Sequence, residues 1–229
     1  MGQGGPIAVR RTSLRQQIAD ALRDEVLTGR LQAGRHFTVK EIADTYGVSA
    51  TPVREALVDL AAQGLLEVEQ HRGFQVRLFT AADFRSLTEA RAFVVDAAFR
   101  WMAEHGMGEL PADAIASVRR RAEAAARAAR AGVLDVLIGC DLRFWGELAA
   151  IGGNPHLCEF LDRVRTQIWI YAVPHLRGLG DLAGVCWSEH VALVDAVAAR
   201  DTETARRLTH EYHVHGRALI ERLAPPAGP

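Results

Sequence analysis

The segment Thr38-Val-Lys-Glu-Ile-Ala-Asp-Thr-Tyr-Gly-Val-Ser-Ala-Thr-Pro-Val-Arg-Glu-Ala-Leu57 constrains the fold more than any other stretch of this chain. Ala43 stands where two helices must approach closely, Gly47 takes a left-handed turn at little cost, and Val53 wedges a second helix onto the first. An ordinary αα-hairpin inside a helical core would share these features, so the flanks decide. Residues 13–28 form an amphipathic helix with Leu14, Ile18, Leu22 and Val26 on one face, closed by Gly29. Gly64 ends the later helical run, and Leu66 and Val68, then Phe74, Val76 and Leu78, alternate with polar residues around Gln70-His-Arg-Gly73. Three helices followed by a β-hairpin predict a winged helix-turn-helix over residues 12–78, a unit that reads double-stranded DNA.

The remainder is helical by period. Asp83 to about Glu104 carries Phe84, Leu87, Ala90, Val94, Ala97, Ala98 and Trp101 on one face, and Pro111 opens a second helix to about Ala131. Four more follow: Leu134 to Ala150, Pro155 to about Tyr171, Val185 to Ala199, and Thr202 to about Leu223. Gly152-Gly-Asn-Pro155 and Pro174 to Gly180 are the clearest breaks. The expected fold is mainly α: an N-terminal winged helix-turn-helix with a small β-hairpin wing, then an antiparallel all-helical bundle of about six helices over residues 79–224. Residues 1–11 and 225–229 read as disordered ends.

Composition narrows the function classes. The formal net charge is −1, and residues 1–80 hold ten Lys and Arg against nine Asp and Glu. Any affinity for DNA must therefore come from where the basic side chains point rather than from bulk charge. Cys140, Cys158 and Cys186 form no C-x-x-C pair, so neither a zinc finger nor a disulfide framework is indicated. The start lacks the apolar stretch of a signal peptide and no run approaches the roughly 18 apolar residues of a membrane span. The sequence reads as a cytoplasmic protein with no membrane partner.

The run Leu27-Thr-Gly-Arg-Leu-Gln-Ala-Gly34, with Glu41-Ile-Ala43, Gly47-Val-Ser-Ala-Thr-Pro-Val-Arg-Glu-Ala-Leu57 and Gly64-Leu-Leu66, closely resembles the N-terminal domain of GntR-family transcription regulators. Two departures stand out. Ala33 replaces the proline usual before that turn glycine, and Ala50 replaces an arginine that contacts bases in the family. Arg54, one turn into the second helix on the side away from Val53, Leu57 and Leu60, is the expected base reader. Lys40, Ser49 and Thr51 support it, with His71 and Arg72 at the wing.

Asp141-Leu-Arg-Phe-Trp145, Gly153-Asn-Pro-His-Leu157, Ser188-Glu-His190 and Asp201-Thr-Glu-Thr-Ala205 resemble, in order and spacing, the FCD ligand-binding domain of the FadR subgroup. The resemblance implies a small-molecule effector, often a carboxylate held by a divalent metal on one Asp and three His. Here the pattern is broken. Asp141 and His190 match the first and third ligands, Trp145 takes the place of a metal-binding histidine, and the last histidine falls on Tyr212. Indole and phenol are poor ligands for such metals, so no metal cofactor is expected. A rearranged site on Asp141, His190 and His213 or His210 is the alternative. The expected effector-binding set is Arg91, Asp141, Trp145, His190 and Tyr212, with Arg91 gripping an acid group.

The expected function is a homodimeric regulator, a repressor released by its effector, that sets two recognition helices on a palindromic operator. The apolar faces containing Leu87, Val94 and Trp101, or those of later helices, are candidate dimer surfaces. Two other classes compete: a constitutive DNA-binding dimer without effector, and a metal-assisted enzyme. No carboxylate pair, nucleophile elbow or phosphate loop supports the enzyme.

Overall fold

The computed structural model describes residues 13–70 and 72–224. The two ends expected to be disordered, and His71, expected to act at the wing, lie outside the described residues. The chain divides into two compact units at Arg77 and Leu78, with the short segment Leu27–Gly29 falling to the second.

The first unit runs α1 (Leu14–Leu27), β1 (His36–Phe37), α2 (Val39–Tyr46), α3 (Ala50–Ala62), β2 (Leu66–Glu69) and β3 (Gly73–Val76). A reciprocal cap starts α2: the Glu41 N–H donates to Thr38 Oγ1 at 3.2 Å, and the Thr38 N–H donates to Glu41 Oε2 at 2.6 Å. Gly47 ends it at φ 64°, its N–H reaching back to the Ala43 carbonyl. Val53, Leu57 and Leu60 of α3 and Leu22 of α1 are wholly buried, each contributing about 1.5–3 kcal/mol of apolar transfer energy. An ion pair of 2.6 Å between Arg15 and Asp59 links α1 to α3.

The wing is larger than the hairpin read from the sequence. β1 adds to it, giving an antiparallel sheet of order β1-β3-β2 with His36 opposite Gln75 and Phe37 opposite Phe74. A two-residue strand has no alternation to read. It is set by tertiary pairing, as the Phe37 and Phe74 rings stack with centroids 6.5 Å apart. Leu78 does not continue the strand pattern: β3 ends at Val76 and Leu78 is exposed.

The second unit consists of α4 (Ala81–His105), α5 (Ala112–Ala131), α6 (Leu134–Ile151), α7 (Pro155–Arg177), α8 (His190–Ala198) and α9 (Thr202–Leu223), with no strand among the described residues. Its core joins α5, α6, α8 and α9 through Val118, Ala122, Ala125, Leu137, Phe144, Leu193, Val194, Ala205 and Leu208. The alanines of α5 let it lie close against α6 and α8.

Three details differ from the sequence reading. The helix α7 continues through Pro174 to Arg177 instead of stopping near Tyr171. A mid-helix proline costs about 3 kcal/mol, and burial of Ile170, Val173 and Leu176 around it offsets that cost. Residues 185–189 form a loop, and α8 begins only at His190. The loop lays Trp187 against the His190 and Tyr212 rings, at 4.8 and 5.4 Å. Finally, the buried face of α4 is Phe84, Thr88, Arg91 and Phe99. Trp101, expected on that face, is 58% exposed, and Leu87 and Val94 are half-buried.

Candidate functional site

The surface of the first unit offers polar side chains on a helix anchored from behind. With Val53, Leu57 and Leu60 turned into the core, the helical period leaves Thr51 and Arg54 on the exposed side of α3, with Ser49 as its exposed N-cap. The Ser49 hydroxyl makes no capping bond and so remains available. Lys40 on α2 and Arg72 at the β2–β3 turn are exposed as well. Among the described residues Lys40, Arg54 and Arg72 have no ion pair, unlike Arg15, Arg23 and Arg77, which are paired with Asp59, Asp20 and Glu67. Ala50 sits exposed at the first position of α3, where the family's arginine would stand.

In the second unit, a buried polar cluster is assembled from α4, α6, α7, α8 and α9. Asp141 is 2% exposed and its carboxylate accepts from three donors. These are the Trp145 indole (3.2 Å), the Trp169 indole (3.0 Å) and the Tyr212 hydroxyl, which lies 3.1 and 3.0 Å from the two oxygens. The Trp145 and Tyr212 rings pack at 4.6 Å. His190, 1% exposed, lies with Nε2 3.8 Å from Asp141, beyond a hydrogen bond, and neither ring nitrogen has a partner among the described residues.

Two arginines share this interior. Arg91 and Arg165 are each 4% exposed. Arg91 lies over the Tyr212 ring at 5.6 Å, and Arg165 over the Trp145 ring at 5.5 Å. The Nη1 of Arg165 reaches Asp162 at 3.1 Å, whereas the Nε of Arg91 is buried with no hydrogen-bond partner among the described residues. Burial pulls the pKa of Arg91 down and Arg165 adds to that, opposed by Tyr212 and Asp141. For Tyr212, burial and then the Asp141 charge push the phenol far up, so it stays a neutral donor. His213 is driven well below the usual histidine range by burial, then by Arg91, Arg165 and His210. A cavity of about 80 Å³ opens on Arg91, Asp141, Arg165, Trp169, Trp187 and Tyr212, among others.

Of the five residues expected to hold an effector, Arg91, Asp141 and Tyr212 line this cavity, while Trp145 and His190 do not. Arg165, Trp169 and Trp187 were not in that set. The signal for Arg165 is nonetheless in the sequence: it falls four residues after Leu161 and three before Ile168, a core position of α7 occupied by a charge. For Trp187, which projects from a loop, no sequence period points to the site.

Residues 14–76 match the family described as bacterial regulatory proteins, gntR family, and residues 86–215 match the FCD domain. The chain is also 30% identical, over 205 residues, to a probable D-xylose utilization operon transcriptional repressor of Paenarthrobacter nicotinovorans, covering 87% of this chain and 86% of that one. The chain belongs to the GntR family. Within it, McbR of Escherichia coli is 26% identical over 217 residues, 93% of this chain and 95% of McbR. The solved structure of E. coli McbR/YncC superposes with a TM-score of 0.74 over 93% of this chain and 99% of that one, at 24% identity. A GntR regulator from Rhodococcus sp. RHA1 shares the fold at a TM-score of 0.69. This GntR chain is a DNA-binding transcription regulator rather than an enzyme.

The metal implied by the family pattern does not fit these residues. Tyr212 hydrogen-bonds to both Asp141 oxygens, and the Trp145 and Trp169 N–H groups take one each, so donors fill the positions a cation would need. Trp145 and Tyr212 stand at the two positions where the family pattern has histidines, and indole and phenol are poor ligands for such a metal. The alternative trio is not gathered either: among the described residues no three His, Cys, Asp or Glu side chains, including Asp141, His190 and His213, converge to hold an ion.

Proposed function

We propose that this GntR regulator is a repressor whose effector is an organic acid bound directly by arginine, without a metal. The observation that carries this reading is the imbalance of buried charge. Two guanidiniums, Arg91 and Arg165, share the cluster with one buried carboxylate, Asp141, and the Nε of Arg91 has no partner among the described residues. A buried charge without full compensation costs several kcal/mol, and an anion entering beside Arg91 would offset it. Asp141 then acts as the acceptor that orients Trp145, Trp169 and Tyr212, and Tyr212 in turn holds Arg91 in place. His190 lies outside the cavity lining, with both ring nitrogens unpartnered among the described residues.

On DNA, Arg54 reads a base edge in the major groove, Ser49, Thr51 and Lys40 fix the helix on the backbone, and Arg72 with His71 contacts the wing side. With Ala50 in place of arginine, the operator either differs at one position from that of relatives carrying the arginine or is bound less tightly. The working unit is a homodimer on a palindrome in the cytoplasm, because one winged helix has too small a footprint for a selective site. The exposed stripe Phe93, Ala97 and Trp101 of α4, spaced four residues apart, supports a self-contact there. The repressor direction follows the function named for the Paenarthrobacter relative. Effector binding would act by favouring a dimer geometry that no longer matches the half-site spacing.

The test is elemental analysis of protein purified without chelator, with operator binding measured in parallel on a duplex selected from a random library. The expected result is well under one equivalent of transition metal, a pseudo-palindromic site, and gain of metal affinity by Trp145→His combined with Tyr212→His. A stoichiometric metal in the wild type would overturn the metal-free reading.

A further inference from the structure

Besides the small cavity, the helical unit contains a second one of about 570 Å³. The size falls within the roughly 300–1,000 Å³ of sites that hold small organic molecules. Its walls come from α4, α6, α7, α8 and α9, with Val95, Phe99, Leu148, Ile151, Leu193 and Val197 among them. The polar groups are few. The Asn154 side-chain oxygen caps α7, and the Thr209 hydroxyl donates to the Ala205 carbonyl. Trp145 turns its N–H to Asp141. Besides the Trp101 indole and the Cys158 thiol, that leaves Arg165 and His213; among the described residues lining this cavity Arg165 is the one formally charged side chain, and its partner Asp162 does not line it.

Arg165 lines both cavities. Its guanidinium is 4% exposed, and Asp162, whose side chain is 56% exposed, engages one nitrogen. The small cavity takes only a few water-sized groups. The large one takes an apolar body and meets a cation at its floor.

We infer that the larger cavity binds an amphiphilic monocarboxylate, its hydrocarbon or aromatic body against the apolar walls and its carboxylate on Arg165. This rests on the reading of the helical unit as a metal-free, acid-binding effector domain and revises which arginine receives the acid: the carboxylate sits on Arg165 in the larger cavity rather than beside Arg91, because the small cavity has no room for an apolar body. A neutral His213 beside Arg165 donates a hydrogen bond to the second carboxylate oxygen. Ala97 and Trp101 of the exposed α4 stripe line this cavity as well, so a second copy docked there would cover its mouth, while the buried charge of Arg165 selects a carboxylate for the interior.

The test is calorimetric titration of the full chain with decanoate, 1-decanol and succinate, using Ala149→Phe and Ala98→Phe to fill the cavity from α6 and from α4. Thermal unfolding and light scattering verify that each variant is folded and of unchanged assembly. Decanoate is expected to bind with a Kd of roughly 1–100 µM. Decanol should bind at least about tenfold more weakly, and each filling variant should weaken decanoate by about tenfold or more. Arg165→Gln should reduce decanoate to the level of decanol while leaving decanol unchanged. Equal binding of decanol and decanoate, or decanoate affinity unaltered in both folded filling variants, would overturn the proposal. So would a shift to monomer in both variants, which would assign the cavity to a second copy. If succinate alone binds and Arg91→Met abolishes it, the effector reading stands and this proposal falls. If none of the three probes binds, the proposal falls, and a metal-free effector site must then be sought with other acids.

Discussion

Arg54 and Arg165 are the same residue type used in opposite ways. Arg54 stands in solvent on a helix whose other face is packed, with no partner among the described residues. Arg165 is stripped of water, stacked over an indole and only partly paired. An exposed arginine costs nothing to keep and suits a polyanion that arrives from outside, whereas a buried one is sustained only by charges arranged around it. The first unit therefore puts its chemistry on the surface and its hydrophobicity inside, and the second unit hides both. A surface that meets DNA tolerates substitution at one contact at a time, while a buried network fails together.

That contrast can be broken most severely at Asp141. Asp141→Ala removes the acceptor for Trp145, Trp169 and Tyr212 and leaves Arg91 and Arg165 facing no buried carboxylate. The expected loss is about 3–5 kcal/mol of stability in the helical unit, read by chemical denaturation. A loss below about 1 kcal/mol would mean the network holds no buried charge.

Arg54→Ala should leave folding intact and cost about 1–3 kcal/mol on the specific operator, with a much smaller loss on random duplex. Fluorescence anisotropy at fixed salt measures both. Equal losses on the two DNAs would reduce Arg54 to a phosphate contact and remove the base-reading half of the comparison.

The wing has its own weak point at Gly73. Its φ is 97°, and a Cβ there would lie 2.5 Å from the Phe37 carbonyl oxygen. Gly73→Ala should cost about 1–3 kcal/mol in the first unit and loosen β1 from β3, visible as faster amide exchange at Gln75. Unchanged exchange would show that the strand pair adapts without strain.

The smallest effect concerns pH. His213 is held neutral in the folded chain by burial and by Arg91, Arg165 and His210, while the same group in the unfolded chain protonates near about pH 6.5. Below that pH the unfolded state binds more protons, so the stability present above about pH 6.5 is lost as pH falls. His175 is shifted the same way by burial. The midpoint of thermal unfolding should fall between pH 7 and 5, and His213→Gln should make that fall shallower. An identical slope in the variant would place the pH response elsewhere.

Much of this architecture is legible in the sequence, and the reason is locality. The winged motif is written in residues close along the chain: Gly47 at its turn, Val53, Leu57 and Leu60 at one helical spacing, and the alternation of Leu66 to Val76. The six helices of the second unit are legible by period, and the substitution of Trp145 and Tyr212 at two ligand positions is visible by register. Boundaries that depend on long-range packing are not. The two-residue β1 exists only because β3 pairs with it, α7 passes Pro174 because its flanks are buried, and Trp187 sits in a loop because His190 and Tyr212 receive its ring.

The sequence by itself determined the order of the helices, the outward face of α3 on which Thr51 and Arg54 stand, and the presence of Trp145 and Tyr212 where the family pattern has histidines, since each is a matter of spacing along one chain. Only the tertiary structure decided what surrounds Asp141. Whether three donors from α6, α7 and α9 converge on Asp141, and whether Arg91 and Arg165 lose their water together, depends on how five helices approach one another. The energy of a buried charge is set by every neighbour within a few ångströms, and those neighbours come from positions far apart along the chain, as with Arg91 on α4 and Tyr212 on α9.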